Sequence, residues 1–226
     1  MKIAVLTGAG ISAESGLKTF RDSNGLWEGH DVMEVASPQG FAKNPALVLD
    51  FYNQRRRQLL EVSPNEAHNA LAKLENTHEV VIITQNVDDL HERAGSSRIV
   101  HLHGELLKAR NVVTETSVRA WKKDILVGDF CENGHQLRPH IVWFGEAVPM
   151  MDVAINLVEA SDIIMIVGTS MQVYPAASLL QYAKPHAIIY FIDPNPAIKP
   201  SERIRVYAEN ATTGVPKAIS DIKKLR

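Results

Sequence analysis

An α/β fold, a parallel sheet doubly wound with helices and carrying a second, smaller module, follows from three features of the sequence. Ile3 to Leu6, Val80 to Ile83 and Ile163 to Val167 are unbroken apolar runs rich in β-branched residues, each followed by glycine or polar residues. Continuous rather than alternating apolarity marks strands covered on both faces, as in a parallel sheet between helices. Helical patterns lie between these runs, the alternation that builds a doubly wound sheet. Two polar stretches, 22–60 and 104–139, break the rhythm and read as insertions that together form the smaller module.

Taken in order, the first strand is Ile3 to Leu6, and a glycine loop follows it. An Asp/Asn/Gly-rich segment then leads to a helix over Pro45 to Glu61 that contains Arg55-Arg56-Arg57. A helix over Asn65 to Glu75 precedes the strand Val80 to Ile83, and a short run, Ile99-Val100, comes next. Residues 104–139 are polar, with Gly128, Gly134 and Pro139 as breakers. Ile141 to Phe144 is expected to be a further buried strand of the same kind, as is Ile188 to Ile192. Met151 to Ala160, Ala176 to Ala183 and Val215 to Leu225 complete the helical set.

Composition narrows the function classes. The chain has 226 residues, 24 Lys+Arg against 26 Asp+Glu, and 45% hydrophobic residues, which suits a folded globular protein and gives no broad basic surface for nucleic acid. One cysteine, Cys131, excludes a disulfide framework and any metal site needing two cysteines from this chain. No apolar run approaches the roughly 20 residues of a spanning helix. Met1-Lys2 leads into an apolar run that Gly8 soon stops, unlike a signal peptide, so a cytoplasmic location is expected.

Gly8-Ala9-Gly10-Ile11-Ser12-Ala13 matches G-x-G-x-x-G/A directly after a strand. Such a loop is either a simple turn or a cradle whose N–H groups meet a pyrophosphate in a Rossmann-like fold. No acidic residue closes a second strand about 20 positions on, and Asp31 sits in a loop-like segment, which disfavours ordinary hydride transfer. Gln85, Asn86 and Asp88 follow Val80 to Ile83 where ligands bind in open parallel sheets, although Asn86 or Asp88 could instead cap a helix. His101 and His103, at i and i+2, could be a metal pair or could supply a lone general base; the base is the sharper reading. Gly168-Thr169-Ser170 offers small donors at the end of the third run.

Together these segments resemble the sirtuin family of NAD-dependent protein-lysine deacylases. The resemblance rests on Gly8 to Ser12, Phe20-Arg21-Asp22, Thr84 to Asp88, His101 to Gly104, Val142 to Glu146 and Gly168 to Ser170, in family order and near-family spacing. It implies one catalytic domain over 1–226 that consumes NAD as a co-substrate. Gly8, Ala9, Gly10, Ala13, Glu14, Thr19, Phe20 and Arg21 match the loop that closes over NAD. Gln85, Asn86 and Asp88 match residues around nicotinamide and its ribose, and Gly168, Thr169, Ser170 and Ala211 match adenosine-side contacts. Asp193 stands where the family usually has Asn and could still accept from a ribose hydroxyl. His103 matches the general base, while Val142, Phe144, Gly145 and Glu146 match a segment that pairs with the acyl-lysine peptide of a protein substrate by strand addition. The implied chemistry is attack of the acyl oxygen on C1′, loss of nicotinamide, and deprotonation of a ribose hydroxyl by His103, leaving O-acyl-ADP-ribose. ADP-ribosyl transfer and non-catalytic sensing are rivals that the peptide-pairing segment and His103 argue against.

Tyr52 and Arg55, at i and i+3 on the Pro45 to Glu61 helix, share a face. Arginine runs are usually solvated surfaces, but Tyr-x-x-Arg here resembles the sirtuin branch that removes succinyl and malonyl groups. Arginine can grip a carboxylate through two hydrogen bonds, with the tyrosine hydroxyl adding another. Desuccinylase and demalonylase activity is therefore expected, with deacetylation beside it. Most sirtuins hold the small module with zinc on four cysteines between the histidine motif and the Phe-Gly-Glu segment. Here that interval has only Cys131, with Glu132 and His135 near it, so no zinc is expected. Packing through Val112, Val118, Trp121, Ile125, Leu126 and Phe130 is expected to replace it. The resemblance also implies a monomer, while the charge balance and the short apolar runs lead us to expect no nucleic-acid or membrane partner.

Overall fold

Parallel pairing of short apolar strands organises the computed structural model, which describes residues 1–18, 27, 29–114, 117–171 and 174–225. The strands are β1 (Lys2–Thr7), β2 (Glu79–Thr84), β3 (Ile99–His101), β4 (Gly104–Asn111), β5 (Arg119–Ala120), β6 (Leu137–Ile141), β7 (Ile163–Val167), β8 (Ile188–Ile192) and β9 (Ile204–Tyr207). The helices are α1 (Gly10–Ala13), α2 (Val32–Val35), α3 (Pro38–Lys43), α4 (Pro45–Glu61), α5 (Glu66–Leu74), α6 (Leu90–Ala94), α7 (Met151–Ala160) and α8 (Ala211–Ile222). A 3-10 helix spans Ala176–Tyr182.

The large sheet runs β3-β2-β1-β7-β8-β9 with every pair parallel. Because side chains alternate across a strand, each apolar run feeds two cores. Ile3 and Val5 join Ile82, Met165 and Val167 beneath α5 and α8, where Leu71 and Val215 pack. Ala4 and Leu6 join Val81, Ile83, Ile164 and Ile166 beneath α7 and the 3-10 helix, with Val158 and Leu179. Each such side chain contributes roughly 1.5–3 kcal/mol of burial, so unbroken apolarity is what a sheet covered on both faces requires. Chain order reverses between β1 and β7, and the loops beyond their carboxyl ends face each other there.

The second module joins α2, α3 and α4 to a three-stranded antiparallel sheet, β5-β4-β6, with a register shift between Glu105 and Ala109. Pro45 at the first position and Asn44, which accepts from the Leu47 N–H at 3.1 Å, start α4. Phe51, Tyr52, Leu59, Leu106, Ile141 and Trp143 form one core, and Leu49, Ala109, Ile125 and Leu137 another, with Phe41, Trp121 and Cys131 against it.

Three expectations change. Ile141 to Phe144 is not a strand of the large sheet: β6 ends at Ile141 in the small antiparallel sheet, and the following residues turn away through Gly145 at φ 90°. Of the six residues expected to pack the small module, Ile125 is buried and Trp121 packs, while Val112, Val118, Leu126 and Phe130 are exposed. The last helix starts at Ala211, ahead of Val215, because its polar first turn docks on Glu14 through the Thr212 N–H at 3.0 Å. No helix among the described residues is long and apolar enough to cross a membrane.

Candidate active site

A cavity of about 780 Å³ lies between the carboxyl ends of the large sheet and the small module. Its walls include Gly8, Ala9, Gly10, Ala13, Glu14, Gln85, Asn86, Asp88, His103, Gly168, Thr169, Ser170, Asp193 and Ala211 from the sheet side. Tyr52, Arg55, Val142, Phe144, Gly145 and Glu146 line it from the other. All described candidate residues thus share one cavity; Thr19, Phe20 and Arg21 lie outside the described residues.

The glycines of the first loop answer to close packing. A Cβ on Gly8 would lie 2.6 Å from Thr169 Cβ, and one on Gly10 would lie 2.6 Å from Gly168 Cα. Gly168 itself has φ 60°, and the Gly10 N–H donates to its carbonyl at 2.8 Å. Only the absence of side chains lets the β1 and β7 loops touch. The helix that follows is a single turn, Gly10–Ala13. Glycine and Ala9 backbone therefore form a bare cradle at the switch point, room suited to a pyrophosphate-bearing ligand such as NAD.

Below this cradle the polar side chains interlock. Asn86 Nδ2 donates to the Gly8 carbonyl at 3.1 Å and to Ser12 Oγ at 3.2 Å. Ser12 Oγ donates to Asp88 Oδ2 at 2.9 Å, and Asp88 Oδ1 accepts the Leu90 N–H at 3.1 Å. Both sequence alternatives for Asp88 are thus realised, since it holds the start of α6 while lining the cavity. Burial pushes its carboxyl above the usual range, partly offset by those hydrogen bonds. Ser12, inside the glycine motif, joins the site through these bonds, which its sequence position alone does not signal. Gln85 Nε2 donates to Thr169 Oγ1 at 3.2 Å, tying the β2 loop to the β7 loop. Asp193 Oδ1 accepts the Asn195 N–H at 2.8 Å, which shapes the loop after β8.

His103 and His101 part company. His103 Nδ1 lies 2.9 Å from the Gln85 carbonyl, which fixes the proton on Nδ1 and leaves Nε2 as the basic nitrogen. Burial lowers its pKa, partly offset by that carbonyl. His101 is not in the cavity wall; its Nε2 is 2.6 Å from Glu92 Oε1. Burial would lower its pKa, but Glu92 outweighs this and raises it. Glu105 also lies close to His101 and Glu92, and its carboxylate accepts from Lys108 Nζ at 2.6 Å.

On the small-module side, Glu146 is bound from within. Arg138 Nη1 and Nη2 donate to its Oε1 and Oε2 at 2.7 and 3.1 Å, Arg110 Nη2 to Oε1 at 3.2 Å, and the Trp143 N–H to Oε2 at 2.8 Å. Burial alone would raise the Glu146 carboxyl, but Arg138 outweighs it and holds it low. The N–H groups of Val142, Phe144 and Glu146 go to the carbonyls of His103, Ala36 and Trp143. No motif marks Trp143, Arg110 and Arg138 as site supports, because their contacts depend on the pairing of β4 with β6 and on the packing of α4 against them. Arg55 Nη1 donates to the Phe51 carbonyl at 2.6 Å, and its guanidinium lies 3.3 Å from the Phe51 ring centroid, within the cavity wall.

Known proteins of this architecture agree with the geometry. Residues 8–175 match the model of the Sir2 family. The chain is 65% identical over 192 residues to an NAD-dependent protein deacylase of Helicobacter pylori, covering 85% of this chain and 84% of that one. It is 52% identical over 220 residues to an NAD-dependent protein deacylase of Bacteroides thetaiotaomicron, covering 94% of each. Among solved structures, a complex of a Sir2 homologue with NAD is 38% identical with a TM-score of 0.88, over 99% of this chain and 90% of that one. A Sir2 structure bound to acetylated peptide is 26% identical with a TM-score of 0.79, over 98% and 93%. With most of its length matched by the family model, and with relatives this similar over nearly their whole length, the chain belongs to the Sir2 family, the sirtuins.

Proposed function

We propose that this chain is an NAD-dependent protein-lysine deacylase that removes succinyl and malonyl groups as well as acetyl groups, acting as one catalytic unit over residues 1–226. The observation that carries the reading is that Tyr52 and Arg55 line the same cavity as His103 and the glycine cradle. NAD, once bound, supplies the ADP-ribosyl group that accepts the acyl chain as nicotinamide leaves. Gly8, Ala9, Gly10 and Ala13 accept its backbone-close part, and Thr19, Phe20 and Arg21 belong to the same assignment. Gln85, Asn86 and Asp88 stand toward the nicotinamide end, and Gly168, Thr169, Ser170, Asp193 and Ala211 toward the adenosine end. The Glu14 carboxylate accepts from the Thr212 hydroxyl at 2.7 Å, so its part is to hold the wall beside Ala211.

His103 takes the ribose hydroxyl proton on Nε2, the nitrogen its Gln85 hydrogen bond leaves basic. Val142, Phe144 and Gly145 pair with the substrate backbone; since the Val142 and Phe144 N–H groups are spent internally, carbonyl oxygens on this edge receive the peptide. Glu146 shapes that edge from within. Arg55 meets the acyl carboxylate and the Tyr52 hydroxyl assists it. Charged hydrogen bonds of roughly 1.5–3 kcal/mol correspond to about 10- to 150-fold selectivity. The test is Arg55→Met with a panel of acyl-lysine peptides and NAD, read by mass spectrometry. Succinyl turnover should fall by that factor while acetyl turnover is spared; equal losses on both would remove the acidic-acyl assignment.

A further inference from the structure

The hydrogen-bond count at Tyr52 is unbalanced in an informative way. Its ring is 1% exposed, and its oxygen accepts from Trp143 Nε1 at 3.0 Å. An indole N–H can only donate, so in this bond the phenol oxygen is the acceptor and its own proton lies elsewhere. No acceptor for that proton is found among the described residues. Burial holds the phenol above its usual range, so the proton stays on the oxygen at every physiological pH. A buried O–H without a partner is unfavourable unless a ligand completes it. Tyr52 lines the cavity beside Arg55, whose guanidinium is likewise a donor without acceptor capacity.

Trp143 is itself held on every side. The Arg138 guanidinium lies 3.2 Å from its ring centroid, and Glu146 Oε2 accepts its backbone N–H. Arg138 Nη2 also donates to the Ile141 carbonyl at 2.8 Å, which fixes the end of β6 from which Trp143 projects. The indole therefore has little freedom to release the Tyr52 oxygen.

We propose that Trp143 is a specificity-determining positioning residue. By filling the acceptor side of the Tyr52 oxygen, its N–H commits the Tyr52 O–H to donate into the cavity. Tyr52 and Arg55 then both face the acyl end as donors, which fits an end bearing acceptor oxygens alone, a carboxylate, and disfavours ends that must donate. Accepting one hydrogen bond also strengthens the other, so the Tyr52 O–H becomes the better donor. This rests on the acidic-acyl reading above and extends it to a residue that acts through the Tyr52 oxygen.

The experiment compares the full chain with Trp143→Phe, Tyr52→Phe and the double variant. Each is measured for kcat/KM on succinyl- and acetyl-lysine peptides of one sequence at saturating NAD. The succinyl-to-acetyl ratio does not depend on how much of a preparation is folded. Trp143→Phe should lower it about fivefold, through KM for the succinyl peptide, the size of one hydrogen bond. Tyr52→Phe should lower it at least as far, and the double variant no further than Tyr52→Phe alone. A ratio unchanged by Trp143→Phe, an equal fall on both peptides, or a double variant that multiplies the two single effects overturns the proposal. If phenylalanine at 143 prevents folding, the benzothiophene isostere of tryptophan keeps the ring shape, lacks the N–H, and should give the same fall. Absence of succinyl turnover in the unmodified chain removes the acidic-acyl reading itself. Retained turnover with an unmoved ratio removes only the part assigned to Trp143.

Discussion

At the sheet end of the cavity the switch-point cradle is backbone; at the small-module end the wall at Tyr52, Arg55 and Glu146 is side chains. Gly8 and Gly10 sit so close to Thr169 and Gly168 that a methyl group would collide at 2.6 Å. Short polar side chains, Asn86, Ser12 and Asp88, then lock that loop from below. Across the cavity, buried Arg110 and Arg138 meet at Glu146, and Arg138 stacks on Trp143, which in turn donates to Tyr52. A ligand common to a family can be held by a fixed backbone shape, which few sequences satisfy. A variable acyl group is better read by side chains, which can change one at a time without reshaping the chain. His103 stands between the two ends, anchored on the Gln85 carbonyl from the sheet side and giving its own carbonyl to the Val142 N–H on the other.

Removing that hinge between the ends should have the largest effect. His103→Ala should lower deacylation of every acyl peptide by on the order of 10²–10⁴-fold, with NAD still bound, as loss of a general base does. Retained turnover on any acyl group would discard His103 as the shared base. The same residue sets a pH limb. A general base works unprotonated, and burial places the His103 pKa below the ordinary 6.5. Activity should therefore exceed half its plateau at pH 6.5 and fall as pH drops through the lowered value. A pH profile of kcat/KM with its acid midpoint above 6.5 would contradict this.

The next effect belongs to the side-chain end. Arg138 is 5% exposed and binds Glu146, itself largely covered. Arg138→Met would leave that carboxylate to Arg110 and the Trp143 backbone N–H and remove the cap on the Trp143 ring. Breaking a buried pair costs about 3–5 kcal/mol, and the remaining arginine keeps the expected loss near 3 kcal/mol. The fall should appear as a lower urea midpoint together with weaker discrimination between acyl groups, while KM for NAD changes little. An unchanged midpoint would mean that the network is not what holds this wall.

The contrast between the ends also decides what could be read from sequence. The strands β1, β2 and β7 are legible because burial on both faces demands unbroken apolar runs. The cradle was legible because close approach demands glycine at fixed offsets after a strand, and His103 because it adjoins Gly104 at a strand end. The other wall was not. The Tyr52–Trp143 bond joins residues 91 positions apart, and no local pattern announces it. Ile141 to Phe144 reads as a buried strand because a short apolar run reports burial, not which sheet or turn provides it. Val112, Val118, Leu126 and Phe130 were assigned to packing because, in a stretch without periodicity, apolarity does not reveal a face. Glu146 lies in the segment matched to peptide pairing, and its carboxylate is in addition bound by two arginines whose convergence depends on the antiparallel pairing of β4 with β6, which no local pattern announces.

The smallest expected effect tests the backbone end. In Gly10→Ala two influences oppose each other. Alanine in place of glycine at the start of α1 favours helix by up to about 1 kcal/mol. The new methyl, however, meets Gly168 Cα at 2.6 Å and the Gly168 carbonyl carbon at 3.0 Å, all backbone that cannot swing aside as a side chain would. Overpacking of this kind costs about 1–3 kcal/mol, so the clash prevails and the β1 and β7 loops separate. Because that contact forms the cradle, the cost should appear in NAD binding, as KM for NAD raised about tenfold. The succinyl-to-acetyl ratio should hold, since nothing at Tyr52 or Arg55 has moved. Set beside Arg138→Met, this gives a crossed pattern, one variant moving the NAD constant and the other the acyl ratio. If Gly10→Ala shifted the ratio as far as the NAD constant, the two ends would be mechanically one, and the separation of backbone from side-chain recognition would fail.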